Sequence, residues 1–363
     1  MKLWQETSAI YARLETLVAE GKQAAVALVV RIQGSAYRRP GAKLLVEEDG
    51  TTLGGVSGGC LEADVRQVAL EVMGKSVPRS LHYETGSEED LIWGLGLGCN
   101  GTVDLFVEAA TQARYLGMVR VVGRLLDGNE AFAVTTIIEG RHAGVCLVVK
   151  SDGIIAHCTG ETEAGPALVA SCVEHLDRGR PGLHSVDGVE VFTEVQRPPP
   201  FLLVIGAGDD AIPLVRYASE AGFRVLVVDH RPAHLAVDRF PSARGCLCTE
   251  PQAEDLELPL GSQTYTVVKT HELSRDRRWV ERLLAAEVAY VGLLGPQERR
   301  DRILQQVSVT DDRQRVYGPV GLDVGAEGPE QVGLSVVAEL LAVFSGRQPR
   351  HLRERRGAIH VAD

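Results

Sequence analysis

Apolar positions recur along the chain with two periods. Leu61, Val65, Val68, Ala69 and Val72 fall at spacings of three and four and predict a helix over Leu61–Met73, and residues 4–20 read as an earlier amphipathic helix. Ala24–Ile32 is a continuous apolar run, the pattern of a buried strand. Ala42–Glu47, Thr51–Gly54 and Arg79–Glu84 read as shorter strands, with Asp49-Gly50 as a hairpin turn. In Thr102–Glu108 the apolar Val103, Leu105 and Val107 alternate with polar residues, as in a half-buried strand.

The pattern echoes itself. Ala24–Gly50 runs strand, glycine-containing loop, strand, Asp-Gly; from Ala131 the chain runs strand, Val145–Val149, then Asp152-Gly153, and a helical stretch Ala167–Leu176 follows. Two readings are open: a pseudo-repeat of 24–84 and 131–195, or two hairpins that share common turn residues. Arg197-Pro198-Pro199-Pro200 is stiff, cannot continue a helix and marks a boundary.

Beyond it the pattern changes to α/β. The strand Phe201–Ile205 meets Gly206-Ala207-Gly208-Asp209-Asp210-Ala211, then a helix Ala211–Ala221 and a strand Arg224–Val228 that ends at Asp229. This is the dinucleotide fingerprint in its strand–turn–helix–strand setting, with an acidic residue about 20 residues on. Asp209 and Asp210 suit the helix dipole but repel an incoming pyrophosphate, with helix capping as their alternative role. Tyr265–Lys269 and Val288–Leu294 read as further strands, Trp279–Ala286 as a helix, and Pro329 opens a helix that runs to Phe344. Ligands of open parallel sheets bind beyond the carboxyl ends of the strands, where His271 is expected; Asp323 lies in a glycine-flanked loop, as a turn carboxylate or a ligand contact.

The expected architecture is therefore α/β, with a mixed α+β cysteine-bearing domain over residues 1–197, a Rossmann-like parallel-sheet domain over 201–346 and a basic tail over 347–363. The candidate chemistry of the first domain is Gly54-Gly55-Val56-Ser57-Gly58-Gly59-Cys60-Leu61-Glu62. Cys60 is placed at or just before a helix N-terminus, whose field favours a thiolate, the form that attacks electrophiles and binds soft metals. Cys99, in Gly96-Leu97-Gly98-Cys99-Asn100-Gly101, is a second thiol in a glycine loop. A buried structural cysteine is the alternative for each.

Composition narrows the function. A net charge of −11 over 363 residues argues against nucleic acid as the main partner. No apolar run reaches the ~18 residues of a membrane span. The N-terminus lacks a signal-peptide core, and seven cysteines without disulfide-type spacing suit a reduced, cytoplasmic protein.

Taken in order, Gly34-Ser35-Ala36, Arg39-Pro40-Gly41-Ala42-Lys43, Asp49-Gly50, Ser57-Gly58-Gly59-Cys60-Leu61-Glu62, Gly96-Leu97-Gly98-Cys99, Gly206-Ala207-Gly208, Val228-Asp229-His230-Arg231, Thr270-His271, Gly292-Leu293-Leu294-Gly295 and Gly321-Leu322-Asp323-Val324-Gly325-Ala326-Glu327 resemble the XdhC/CoxI family of xanthine dehydrogenase accessory proteins. The set spans nearly the whole chain. It departs from the family where Asp209 replaces a common His, Pro296 a common Ser and Asn100 a common Gly. The resemblance implies binding of molybdenum cofactor, support of its sulfuration and delivery to a xanthine dehydrogenase-like molybdenum hydroxylase, with a cysteine desulfurase as further partner and a homodimer as the assembly. Ser57, Gly58, Gly59, Cys60, Cys99, Gly206, Gly208, Asp229, His271 and Asp323 are the cofactor-binding candidates, with Cys60 the metal contact. The alternative is an NAD(P)-dependent oxidoreductase, which explains the fingerprint but not the cysteine loops.

Overall fold

The computed structural model describes residues 1–34, 38–85, 101–111, 113–160, 165–253, 258–307 and 313–355. The chain forms two compact units, one built on Lys2–Pro198 and the other on Pro199–Glu354.

In the first unit, helix α1 (Lys2–Ala19) precedes an antiparallel sheet of order β3-β2-β1-β5-β4. Its strands are β1 (Ala24–Gly34), β2 (Lys43–Glu47), β3 (Thr52–Gly54), β4 (Arg79–Thr85) and β5 (Gly101–Ala109). Ala24 pairs with Glu47 on one side of β1, and Ala25 with Ala109 on the other. Helix α2 (Glu62–Lys75) buries Val65, Val68, Ala69, Val72 and Met73 on this sheet. Helix α3 (Ala113–Asp127) leads to a second antiparallel sheet of β6 (Phe132–Ile137), β7 (Cys146–Lys150), β8 (Ile155–Cys158), β9 (Gly182–Val186) and β10 (Val189–Gln196), in the order β8-β7-β6-β10-β9. Helix α4 (Gly165–Arg178) buries Leu168, Cys172 and Leu176 there. Both sheets thus have the same strand order, with the first strand at the centre and a helix between the third and fourth. Their hairpin turns also match: the Asp49 carboxylate accepts from the Thr51 amide at 2.8 Å, and that of Asp152 from Ile154 at 3.0 Å.

The apolar run of β1 is explained by cover on both faces. α2 packs on one, while Leu28 and Val30 join Phe106, Ile138 and Phe192 in a core shared by the two sheets. α1 and α3 form another core, in which Ile10, Leu14 and Leu17 meet Tyr115, Val119, Val122 and Phe132. Ionic contacts also cross between the sheets. Lys43 of β2 pairs with Glu194 of β10, both buried, and Arg31 reaches Glu190 of β10 at 3.1 Å while pairing within its own sheet with Asp104 at 3.5 Å.

Cys172 and Cys158 differ in burial within the second sheet module. Cys172 is 0% exposed and bonded to the Thr135 hydroxyl at 2.9 Å, whereas Cys158 is exposed. Cys172→Ala is expected to lower stability by about 1 kcal/mol, with Cys158→Ala within about 0.5 kcal/mol of wild type. Urea unfolding of the two variants checks this, and equal midpoints would contradict it.

The second unit is a six-stranded parallel sheet of order β13-β12-β11-β14-β15-β16. Its strands are β11 (Phe201–Ile205), β12 (Arg224–Asp229), β13 (Gly245–Cys248), β14 (Thr264–Val268), β15 (Tyr290–Leu293) and β16 (Val316–Tyr317). Alternate residues feed opposite faces. Leu202 and Val204 pack with α5 (Ala211–Ala221) and α8 (Gly328–Ser345); Leu203 and Ile205 pack with α6 (Leu273–Ala285) and α7 (Gln297–Gln306). The strand order reverses between β11 and β14, which puts the crevice of this sheet beyond their carboxyl ends. Among the described residues, no helix is long and apolar enough to cross a membrane.

Candidate functional site

The cysteine loop is held by a serine and a glutamate. Glu62, the first residue of α2, turns its carboxylate back to accept the amides of Ser57 at 2.8 Å and Val56 at 3.2 Å, and it also accepts the Ser57 hydroxyl. The same hydroxyl oxygen accepts the amides of Gly59 and Leu61, each at 3.1 Å. Partial burial pushes the Glu62 carboxyl up, but the bonds from Ser57 and Val56 outweigh it and hold the group below its usual range. Gly58, Gly59 and Cys60 are exposed on the rim of this staple. Cys60 stands two residues before α2, with Leu61 at the N-cap position. Glu62 and Asp64 place two carboxylates in the first turn of α2, so the backbone donors left to a ligand lie in the loop. Among the described residues, the amides of Gly58 and Cys60 have no intramolecular acceptor. Cys99 lies outside the described residues.

The glycine turn belongs to the second unit. Gly206 has φ +117°, and a Cβ there would lie 2.4 Å from the Lys269 carbonyl oxygen, so this position requires glycine. Asp229, 4% exposed, is engaged from both sides: one oxygen accepts the Ala207 amide at 2.7 Å and Arg231 Nη2 at 2.9 Å, the other the Arg231 amide at 2.9 Å and Nε at 3.0 Å. Burial raises its carboxyl pKa, and the Arg231 and amide bonds lower it further than burial raises it, so the net shift is down. Its contribution to stability is therefore present above about pH 4 and is lost as pH falls toward the lower folded value.

The capping alternative for Asp210 does not hold. Asp210 occupies the N-cap of α5 without a capping bond from its side chain. Distant cations take both carboxylates instead: Arg239 reaches Asp209 at 2.6 Å, and the ammonium of Lys269 reaches Asp210 at 2.5 Å. The turn is thus charge-balanced rather than simply repulsive. The obstacle to a dinucleotide is Asp229, whose oxygens are already filled where a ribose hydroxyl would bind. Calorimetry is expected to show NAD and NADP binding more weakly than ~1 μM, a free energy less favourable than about −8.2 kcal/mol; tighter binding would overturn this.

His271 lies just past β14, exposed and with φ +62°, in the left-handed region that non-glycine residues rarely adopt. Its Nε2 stands 3.7 Å from Asp210, so the two share one edge of the crevice. Asp323 is exposed in a loop anchored from α8, where Glu339 accepts the Gly321 amide at 3.1 Å and Ser335 bonds the Leu322 carbonyl at 2.6 Å. Gly206, Gly208, Asp229 and His271 therefore gather at the carboxyl edge of the parallel sheet. Ser57, Gly58, Gly59 and Cys60 form a separate group in the other unit. Sequence reasoning assigned no role to Lys269, Arg231 and Arg239. Lys269 left a signal as a lone lysine closing an apolar strand and Arg231 as part of the Val228–Arg231 segment, whereas Arg239 left none.

An exposed loop thiol in one unit and a Rossmann fold in the other define a class of two-unit proteins. Residues 17–84 match the XdhC and CoxI family, and residues 202–340 match the XdhC Rossmann domain. Over 329 residues the chain is 32% identical to a probable xanthine dehydrogenase subunit of Bacillus subtilis, covering 90% of this chain and 95% of that one. It is 24% identical over 329 residues to the molybdenum cofactor insertion chaperone PaoD of Escherichia coli, covering 89% and 84%. A crystal structure described as a xanthine dehydrogenase from Bacillus halodurans superposes with a TM-score of 0.78 at 29% identity, covering 93% of this chain and 96% of that one. The chain belongs to the XdhC and CoxI family.

Proposed function

We propose that this protein carries molybdenum cofactor as cargo, supports its sulfuration and delivers it to a xanthine dehydrogenase-type hydroxylase. The observation that carries this reading is the exposed Cys60 thiol on the Ser57–Glu62 staple. A soft sulfur donor suits the molybdenum or its sulfido ligand, and the vacant amides of Gly58 and Cys60 suit an anionic group of the cargo. The relative named as a molybdenum cofactor insertion chaperone supports the same reading. The test is molybdenum and pterin content per chain after purification from cells that make the cofactor and from cells that do not, with reactivation of a cofactor-free hydroxylase as second readout. Background content from both sources would overturn it. A cysteine desulfurase is the proposed sulfur donor, and persulfide on Cys60 after incubation with such an enzyme and cysteine is the check. The oxidoreductase reading has against it the closure of Asp229 by Arg231.

The protein is further proposed to form a homodimer through α8. Gln331, Leu334, Ala338, Leu341 and Ser345 recur at spacings of three and four on its exposed side, a seam without charge. Antiparallel pairing of two copies brings the acidic end at Glu330 to the basic end at Arg347 and Arg350. Sedimentation of wild type and of a Leu334→Glu/Leu341→Glu variant checks this; a wild-type monomer at micromolar concentration would contradict it.

A further inference from the structure

The parallel-sheet unit contains a cavity to which the fingerprint segment contributes Asp210 alone. It has a volume of about 230 Å³ and opens beyond the carboxyl ends of β14 and β15, between α5 and α8. Leu214, Leu294, Val332 and Val336 form apolar walls, and Lys269 and Asp210 form the one polar edge. Cavities for drug-sized ligands measure roughly 300–1,000 Å³, so this one admits a single flat ring system rather than a dinucleotide.

Lys269 is the unusual member. It is 3% exposed, and among the described residues its ammonium has one acceptor, the Asp210 carboxylate at 2.5 Å. An ammonium carries three donors, so among the described residues two are left without a protein acceptor. A buried charge is stable only when paired and hydrogen-bonded, and burial here lowers the ammonium pKa against the pull of Asp210. A vacant ammonium donor calls for an acceptor, which a carbonyl oxygen provides. A phosphate or carboxylate would also accept, but it would meet the Asp210 carboxylate at the same edge. Asp210 in turn calls for donors next to that carbonyl.

We propose that this pocket binds the lactam edge of a 2-amino-4-oxopyrimidine ring, the edge shared by pterins and guanine. The ring oxygen accepts from Lys269, and the adjacent ring N–H and exocyclic amine donate to Asp210. The apolar walls take the two ring faces. Adenine in the same orientation presents an amine donor to Lys269 and an unprotonated ring nitrogen to Asp210, so both contacts are mismatched. With the carrier reading above, on which the choice of cargo rests, the ligand is the pterin half of the cofactor.

The test uses the full chain from cells that do not make molybdenum cofactor. It is titrated with pterin, followed by pterin fluorescence, and in parallel with lumazine, guanosine and adenosine. Pterin and guanosine are expected to bind at least tenfold tighter than lumazine, which has an oxygen in place of the 2-amino group, and than adenosine. Lys269→Met and Asp210→Asn are each expected to weaken pterin at least tenfold. Val332→Phe, at the half-exposed rim, is expected to block it by filling the cavity, with thermal unfolding as control. Pterin binding no tighter than adenosine, or unchanged in both Asp210→Asn and Val332→Phe, would overturn the proposal. Cofactor that still co-purifies with those two variants refutes the pocket and leaves the carrier reading intact. A wild-type chain that binds free pterin selectively but never co-purifies with cofactor supports the pocket and refutes the carrier.

Discussion

Cys60→Ala is expected to unfold at the wild-type midpoint and to retain at most about one tenth of the bound molybdenum cofactor, a loss of ~1.4 kcal/mol or more in binding. The thiol is exposed, and exposed substitutions usually change stability by less than about 0.5 kcal/mol. The loop does not depend on it either, since its shape is set by the Ser57 and Glu62 bonds. What the substitution removes is the soft donor. Cofactor content per chain, measured as molybdenum and as oxidised pterin, is the readout. Wild-type content together with normal client activation would reduce Cys60 to packing. Glu62→Ala separates the two effects: it leaves the sulfur but frees the amides of Val56 and Ser57, so both cofactor content and stability should fall.

Lys43→Met is expected to produce the largest loss of stability, about 3–5 kcal/mol, because it leaves a buried carboxylate without its counter-charge. The Lys43 ammonium is buried against Glu194 and also donates to the Gly41 carbonyl at 3.2 Å. Glu194 is only 5% exposed, so solvent replaces little of the lost partner. The double change Lys43→Met/Glu194→Leu removes both charges and should recover most of the loss, as apolar replacement of a buried pair often does. Urea midpoints of the two single variants and the double variant form the cycle. A Lys43→Met midpoint equal to wild type would show that the pair contributes nothing.

Local patterns were legible in the sequence, and contacts between distant residues were not. Phe201–Ile205 and Ala211–Ala221 have the limits that the apolar run and the fingerprint predict, and the ordered motifs point to the family. Helix α3 escaped notice because Gly117 and Gly123 interrupt it, although Tyr115, Val119, Val122 and Leu126 hold the helical spacing. The edge strand β13 is four residues long, with Cys246 and Cys248 where apolar strand formers are usual. At the site, glycine positions follow from local backbone needs. The partners of the carboxylates do not: Asp210 meets Lys269 and Asp209 meets Arg239 only after the sheet is assembled. A capping rule applied to Asp210 therefore loses to a cation that arrives from another strand.

The shared strand order of the two antiparallel sheets fixes when each can close during synthesis. The central strand of each is made first, and its second neighbour last: Ala25 waits for Ala109, and Phe132 for Gln196. Until then one edge of an apolar strand stands open on the nascent chain, the condition under which unrelated strands pair and chains aggregate. Each sheet therefore passes through a vulnerable interval on the ribosome, and in both cases it ends only when the second strand after the intervening helix has emerged.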